Sequence, residues 1–290
     1  MNIAPSKERC YIVAEIGINH QGDINKALKL VRLSKNAGAD AVKFQKRDIG
    51  LVYTKEELDA PRESIYGVTN GSLKYGLEFG PAEYQMLYDA CRTLDIDFFA
   101  SPWDENSVQF LADLKVPYLK VASASITDKN LLKAMCKTGI PLLVSTGMAD
   151  LAIIKRVVHT IKVFGGEIAC LYHCTSTYPS ETRELNLRGI ATLQQEFPNL
   201  NIGYSGHEPG VPTSIMAAVL GATSVERHLT TSRADWGSDQ AASLEYTGFA
   251  RVVSGIRQWE EARGDGEIVI YDSERPIIDK LRRVDDIFEA

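Results

Sequence analysis

An eightfold beat constrains this chain more than any other feature of its sequence: short apolar runs rich in β-formers alternate with amphipathic stretches of helical period. The runs are CYIVAEI (10–16), DAVKFQ (40–45), IDFFA (96–100), PYLKVA (117–122), PLLVST (141–146), IACLYHC (168–174), NIGYS (201–205) and TSVERH (223–228). Near-continuous apolar character is expected of parallel strands covered on both faces. Between the first two runs, INKALKLVRLSKNAG gathers Ala27, Leu28, Val31, Leu33 and Ala37 toward one face and stops at Gly38, a helix C-cap signal. PAEYQMLYDACRTLD opens with Pro81 in a first-turn position. Eight strand–helix units predict an α/β fold, a single-domain (β/α)8 barrel over residues 1–264, with a doubly wound open sheet as the alternative. Two segments break the beat. Residues 46–80 form a long insertion after the second run, expected to act as a lid or binding loop at the C-terminal face. Residues 265–290 form a tail, expected to pack on the barrel or at an oligomer contact.

With 290 residues, 44% of them hydrophobic, the chain can bury a large core. A formal charge of −6 and the absence of a basic stripe argue against a nucleic-acid partner. No apolar run approaches the roughly 20 residues of a membrane span, and MNIAPSKERC has no signal-peptide apolar region. The cysteines at 10, 91, 136, 170 and 174 are odd in number and form no C-x-x-C pair. They read as free buried thiols suited to a reducing, cytoplasmic setting. Cys174 sits near the residues considered next, where reactivity is the alternative to inert burial.

Active sites of such barrels are built from residues at the C-terminal ends of the strands. Those positions carry Glu15, Asn19 and His20; Lys43 and Gln45; Ser101; Lys120 and Ser123; Ser145 and Thr146; His173, Cys174 and Tyr178; Ser205 and His207; and Glu226, Arg227 and His228. Lys43 and Lys120 interrupt apolar strands, and lysine is almost never buried unpaired. They either pair with Glu15 and Glu226 or hold an external anion, and the nearby serines favour the anion site. His207 and His228 follow consecutive strands that closure makes neighbours, so they are candidate ligands of a divalent metal. His20 and His173 are weaker candidates, and His159 is a helix residue. Glu15 is either a salt-bridge partner or a general base.

The ordered motifs AEIGINHQG (14–22), VKFQ (42–45), SPW (101–103), LKVASAS (119–125), LLVSTGM (142–148), HCTSTYP (173–179), GYSGH (203–207) and VERH (225–228) resemble those of the sialic acid synthase family. That family spans the N-acetylneuraminate, legionaminate and pseudaminate synthases. The resemblance covers most of residues 10–265. It implies a (β/α)8 barrel that condenses phosphoenolpyruvate with a hexosamine-type or related aldose, free or phosphorylated, to a 2-keto-3-deoxy acid and phosphate. It also implies a divalent metal, manganese before magnesium or cobalt, held by His207 and His228. Lys43, Ser101, Lys120, Ser123, Ser145 and Ser205 then match the phosphoenolpyruvate cradle, with Lys120 stabilising charge during reaction. Glu15 matches the carboxylate near the attacking water, Asp239 a second acid near the metal, and Gln45, Tyr178 and Glu226 the sugar-side contacts.

Ser125 stands where the family often has an acid, which implies altered sugar contacts. Ser176 stands where it often has asparagine, which implies a weaker phosphate contact. The chain is expected to lack the antifreeze-like domain that many members append after the barrel, which puts an N-acetylated acceptor in doubt. Arg62 in the insertion is the expected replacement cation. A homo-oligomer, a dimer, is expected. Two other readings stay open: a metal-dependent hydrolase or isomerase, which needs neither the lysines nor the serine ring, and a non-catalytic sugar- or phosphate-binding barrel.

Overall fold

A computed structural model describes residues 5–6 and 8–284. The eight runs become the strands β1 (Tyr11–Glu15), β2 (Ala41–Lys46), β3 (Asp97–Pro102), β4 (Leu119–Val121), β5 (Leu142–Ser145), β6 (Ile168–Cys174), β7 (Ile202–Gly206) and β8 (Ser224–Thr230). Each pairs in parallel with the next, and β8 returns to β1, with Glu15 opposite His228. That last pairing closes the barrel and rules out the open sheet. A two-residue strand, Leu244–Glu245, adds to the end of β8.

Side chains alternate across each strand, so β1 turns Tyr11, Val13 and Glu15 to the same side. Tyr11 lies edge-on to Tyr118, with ring centroids 5.9 Å apart, and Tyr118 does the same to Phe99. Tyr172 bonds the Ser224 hydroxyl at 2.7 Å. These buried rings fill the barrel below the polar strand ends. On β8, Glu226 and His228 share one side while Arg227 takes the other, toward the helical layer.

The insertion is not the long loop expected. It folds into helices Ile49–Val52, Lys55–Asp59 and Asn70–Leu77 and a hairpin of Pro61–Ser64 with Gly67–Thr69. Capping boxes at Thr54–Glu57 and Thr69–Ser72 start two of the helices, and the first, T-x-x-E, is a legible sequence signal. The insertion docks on the loop after β1: the Tyr66 hydroxyl donates to the Gln21 carbonyl at 2.5 Å. Gly22 makes the close approach possible, because its φ is +76° and a Cβ there would lie 2.2 Å from the Gly76 carbonyl oxygen.

Of the tail, 285–290 lie outside the described residues. Residues 265–284 are exposed at every position except Ile278, so the expected packing against the barrel is absent among them. Among the described residues, no helix is long and apolar enough to cross a membrane.

The substitution Gly22→Ala should undock the insertion. Limited proteolysis should cut within 46–80 many times faster than in the parent protein, with the barrel intact; unchanged cleavage would contradict the docking.

Candidate active site

A cavity of about 570 Å³ opens at the C-terminal ends of the strands. Barrel closure and strand register bring to its wall the lysines, serines, histidines, acids, Gln45 and Tyr178 that the family resemblance assigns, but not Asn19, Thr146, His173 or Arg227. Glu15, Lys43, Gln45 and Ser101 come from β1 to β3. Lys120 lies on β4, Ser123 just after it and Ser145 at the end of β5. Ser205, Glu226 and His228 come from β7 and β8, while Tyr178, His207 and Asp239 come from the loops that follow β6, β7 and β8. Ser125 is buried outside this wall, whereas Ser176 is part of it.

At the cavity floor lies a fully buried quartet of charges. The Lys43 ammonium is 3.0 Å from Glu15 and 3.4 Å from Glu226. The Lys120 ammonium is 3.2 Å from Glu226 and 5.0 Å from the Tyr172 ring centroid. The Ser205 hydroxyl also donates to Glu226, at 3.3 Å. The lysines are therefore ion-paired with Glu15 and Glu226, and they line the same cavity as the serines.

The two carboxylates are not equivalent. Burial raises Glu15 to about 7, because Lys43 and the Gln45 amide only partly offset it and Glu226 adds repulsion. Burial would raise Glu226 as well, but Lys120 and Lys43 together outweigh it and bring it down to about 2. Lys43 is raised, its two acids overcoming burial, while burial lowers Lys120. Environments that drive paired groups apart are how one fold separates an acid–base group from a fixed charge.

His207 and His228 lie with ring centroids 5.3 Å apart, tilted by 52°, and Tyr178 packs against His207 at 4.1 Å, tilted by 41°. His207 donates from Nδ1 to the Thr175 carbonyl at 2.8 Å, which leaves Nε2 as the atom a ligand would meet. Burial would lower His207, but Cys174, the Thr175 carbonyl and Glu226 outweigh it and raise it above its usual range. Burial and the charge of His207 hold His228 far below its usual range, so it is a neutral imidazole. Its Nδ1 is buried without a hydrogen-bond partner, 3.7 Å from Asp239 Oδ2. Among the described residues, no group of three His, Cys, Asp or Glu side chains could hold a metal ion. A neutral imidazole at His228 with an orphaned buried nitrogen, beside His207, nevertheless fits a divalent metal, which would displace any proton His207 carries. Gly17 lets this corner close, since a Cβ there would lie 3.0 Å from both Asp239 Oδ2 and Glu15 Oε1.

His20 also lines the cavity but is stacked on Phe79 and lowered to about 3 by burial. His173 is tied to the Leu185 carbonyl at 2.7 Å, and His159 is exposed on its helix. Arg62 is not the cation at the site: it is exposed on the hairpin, 3.3 Å from Asn70. Arg47 and Lys74 line the cavity instead. Arg47 was legible, since Lys43, Gln45 and Arg47 continue one period-2 face.

Sequence reasoning also missed the clamp behind the histidines. Arg227 and Glu208, both wholly buried, pair at 2.9 Å, and the Arg227 guanidinium reaches Ser214 and the Gly210 carbonyl. The Tyr204 hydroxyl completes the Glu208 shell at 2.8 Å. Glu208 follows His207 and Arg227 precedes His228, so this pair fixes the two strand ends that carry the imidazoles.

Residues 30–268 match the model of the NeuB family. The chain belongs to this family. It is 43% identical over 239 residues to the N-acetylneuraminate-9-phosphate synthase of Drosophila melanogaster, covering 81% of this chain and 64% of that protein. It is 35% identical to the N,N'-diacetyllegionaminic acid synthase of Legionella pneumophila, covering 96% of this chain and 80% of the relative. The chain thus spans between about two thirds and four fifths of the lengths of these two NeuB relatives. Among solved structures, an N-acetylneuraminic acid synthetase from Leptospira borgpetersenii, in complex with citrate, superposes with a TM-score of 0.83 at 29% identity. That match covers 98% of this chain and 96% of the other.

In metal-free protein, carboxyl NMR should show Glu15 titrating near 7 while Glu226 stays ionised to about 2. Below 7 Glu15 holds its proton, and above 7 it is a base; two ordinary carboxyl titrations would contradict the asymmetry. Arg227→Met leaves Glu208 buried and unpaired, which should cost about 3–5 kcal/mol in denaturant unfolding.

Proposed function

We propose that this protein condenses phosphoenolpyruvate with an aldose of the hexosamine type, giving a 2-keto-3-deoxy acid of the nonulosonic kind and phosphate. The observation that carries the reading is the paired quartet Glu15–Lys43–Glu226–Lys120 beside the imidazoles of His207 and His228 in one serine-lined cavity. NeuB membership supports it, as do relatives that make N-acetylneuraminate 9-phosphate and diacetyllegionaminic acid.

Lys43, Lys120 and the hydroxyls of Ser101, Ser123, Ser145 and Ser205 hold the carboxylate and phosphate of phosphoenolpyruvate. Gln45, Tyr178 and Glu226 position the sugar. His207 and His228 hold a divalent metal, manganese in the first instance, with Asp239 beside it; when bound, the metal supplies Lewis-acid polarisation of the aldehyde oxygen. C3 of phosphoenolpyruvate attacks the aldehyde carbon, and the new alkoxide takes a proton to become a hydroxyl. Positive charge develops at C2. Glu15 accepts a proton from water as its oxygen bonds to C2, a role suited to a base with a pKa near the working pH. The tetrahedral carbon then expels phosphate and becomes the keto group. The lysines stabilise the carboxylate and phosphate charges throughout, as fixed dipoles and charges do in a site closed to water. The insertion walls one side of the cavity and limits entry of water that would quench C2 early.

The two lysines and the serine arc favour this reading over a metal-dependent hydrolase or isomerase, which needs no such anion cradle. Phosphate release by the purified protein should require phosphoenolpyruvate, manganese and an aldose together. The substitution His207→Ala should lose both manganese binding and turnover. Glu15→Gln should keep phosphoenolpyruvate and manganese affinity while turnover falls on the order of 10²–10⁴-fold. Release without an aldose, or near-full activity of Glu15→Gln, would contradict the reading.

A further inference from the structure

The cavity carries its positive charge in two places, and only one is neutralised. On the floor each lysine meets a carboxylate, Lys43 at 3.0 Å from Glu15 and Lys120 at 3.2 Å from Glu226. On the insertion side Arg47 and Lys74 line the same cavity, and among the described residues neither forms an ion pair. Glu78, which lines the same cavity, pairs with Lys46 at 2.6 Å and accepts from the Arg47 backbone N–H at 3.2 Å.

Arg47 is nevertheless held in place. Its guanidinium lies 4.2 Å from the Trp103 ring centroid and donates to the Gln45 side-chain oxygen, while its Nε is buried with no hydrogen-bond partner. The Lys74 ammonium sits 4.9 Å over the Tyr53 ring. A stacked, immobilised guanidinium with an unused donor, joined by a second unpaired cation, is the chemistry that recognises an oxyanion, a phosphate monoester above all.

Gln45 fixes where that oxyanion lies relative to the reacting atoms. It donates to Glu15 at 2.9 Å and accepts from Arg47 on its other side. The cationic side therefore stands beyond Glu15 across Gln45, which on the condensation reading is the acceptor's side of the cavity.

We infer that Arg47 and Lys74 form a subsite for a phosphate on the acceptor, carried at the end of the aldose remote from its aldehyde. The inference rests on the condensation reading and names its acceptor class. It also gives the insertion a function: it delivers Lys74 and Tyr53 to the cavity, and so it reads the substrate as well as walling it in.

The test compares an N-acylated hexosamine, its 6-phosphate and the corresponding uronic acid, with manganese and phosphoenolpyruvate held constant. The 6-phosphate should exceed the neutral sugar in kcat/KM by on the order of 100-fold, the scale of losing charge-assisted contacts. Arg47→Met and Lys74→Met should each lower the ratio of phosphorylated to neutral kcat/KM by about 10-fold or more, with Arg47→Lys keeping part of it. A ratio near one in the parent protein, or a ratio unmoved in both variants, overturns the subsite. A preference for the uronic acid overturns the assignment to phosphate. If no acceptor yields phosphate, the condensation reading fails on its own, and calorimetry with the 6-phosphate decides the subsite. Binding by the parent protein that Arg47→Met loses supports it, and no binding by the parent protein overturns it.

Discussion

The site depends on burying two lysines and two glutamates together at the top of a closed barrel. Taking such charges out of water is costly, and mutual pairing repays the cost only when the geometry is good. The barrel supplies that geometry by joining β1 to β8 and β2, which sets Glu15 opposite both His228 and Lys43. Because Glu226 is shared by both lysines and Glu15 has only Lys43, the two carboxylates differ in charge. Glu226 is a permanent anion that keeps the ammoniums in place, and Glu15 is free to exchange a proton near neutral pH. That division of labour comes from the uneven sharing of two cations.

Around this quartet the protein spends its structure on rigidity. The Arg227–Glu208 pair sits outside the barrel wall but immediately beside His228 and His207 in sequence, so the imidazoles are positioned from behind. Gly17 permits Glu15, Gln45 and Asp239 to crowd into one corner. The insertion, anchored through Tyr66 and Gly22, turns a bare barrel mouth into a walled cavity with a cationic side. Binding groups held in advance need not be ordered during reaction, which is where such sites gain most of their catalytic advantage.

The barrel was legible because its signal is local: eight apolar runs, each bounded by polar residues, need no knowledge of long-range contacts. The site was legible for a related reason. Strand ends in a barrel converge by topology, so Lys43, Lys120, His207 and His228 could be placed together from their positions alone. What escaped depends on which way a side chain turns. Arg227 reads as one more polar strand end, yet it faces the helices. Only the fold of the insertion's short helices and hairpin shows that Arg62 points to solvent, whereas Arg47, which continues the period-2 face of β2, carried a legible signal. The inequality of Glu15 and Glu226 was also out of reach, since it depends on which of the two carboxylates the Lys120 ammonium reaches.

The central claim is that water assisted by Glu15 adds at C2, so that the bond between C2 and its bridging oxygen breaks. Phosphoenolpyruvate carrying ¹⁸O at that bridge tests it most directly, with the released phosphate read by the isotope shift of its ³¹P resonance. The label should leave with phosphate. If it stays in the keto acid, the oxygen–phosphorus bond has broken instead, and the role given to Glu15 is wrong.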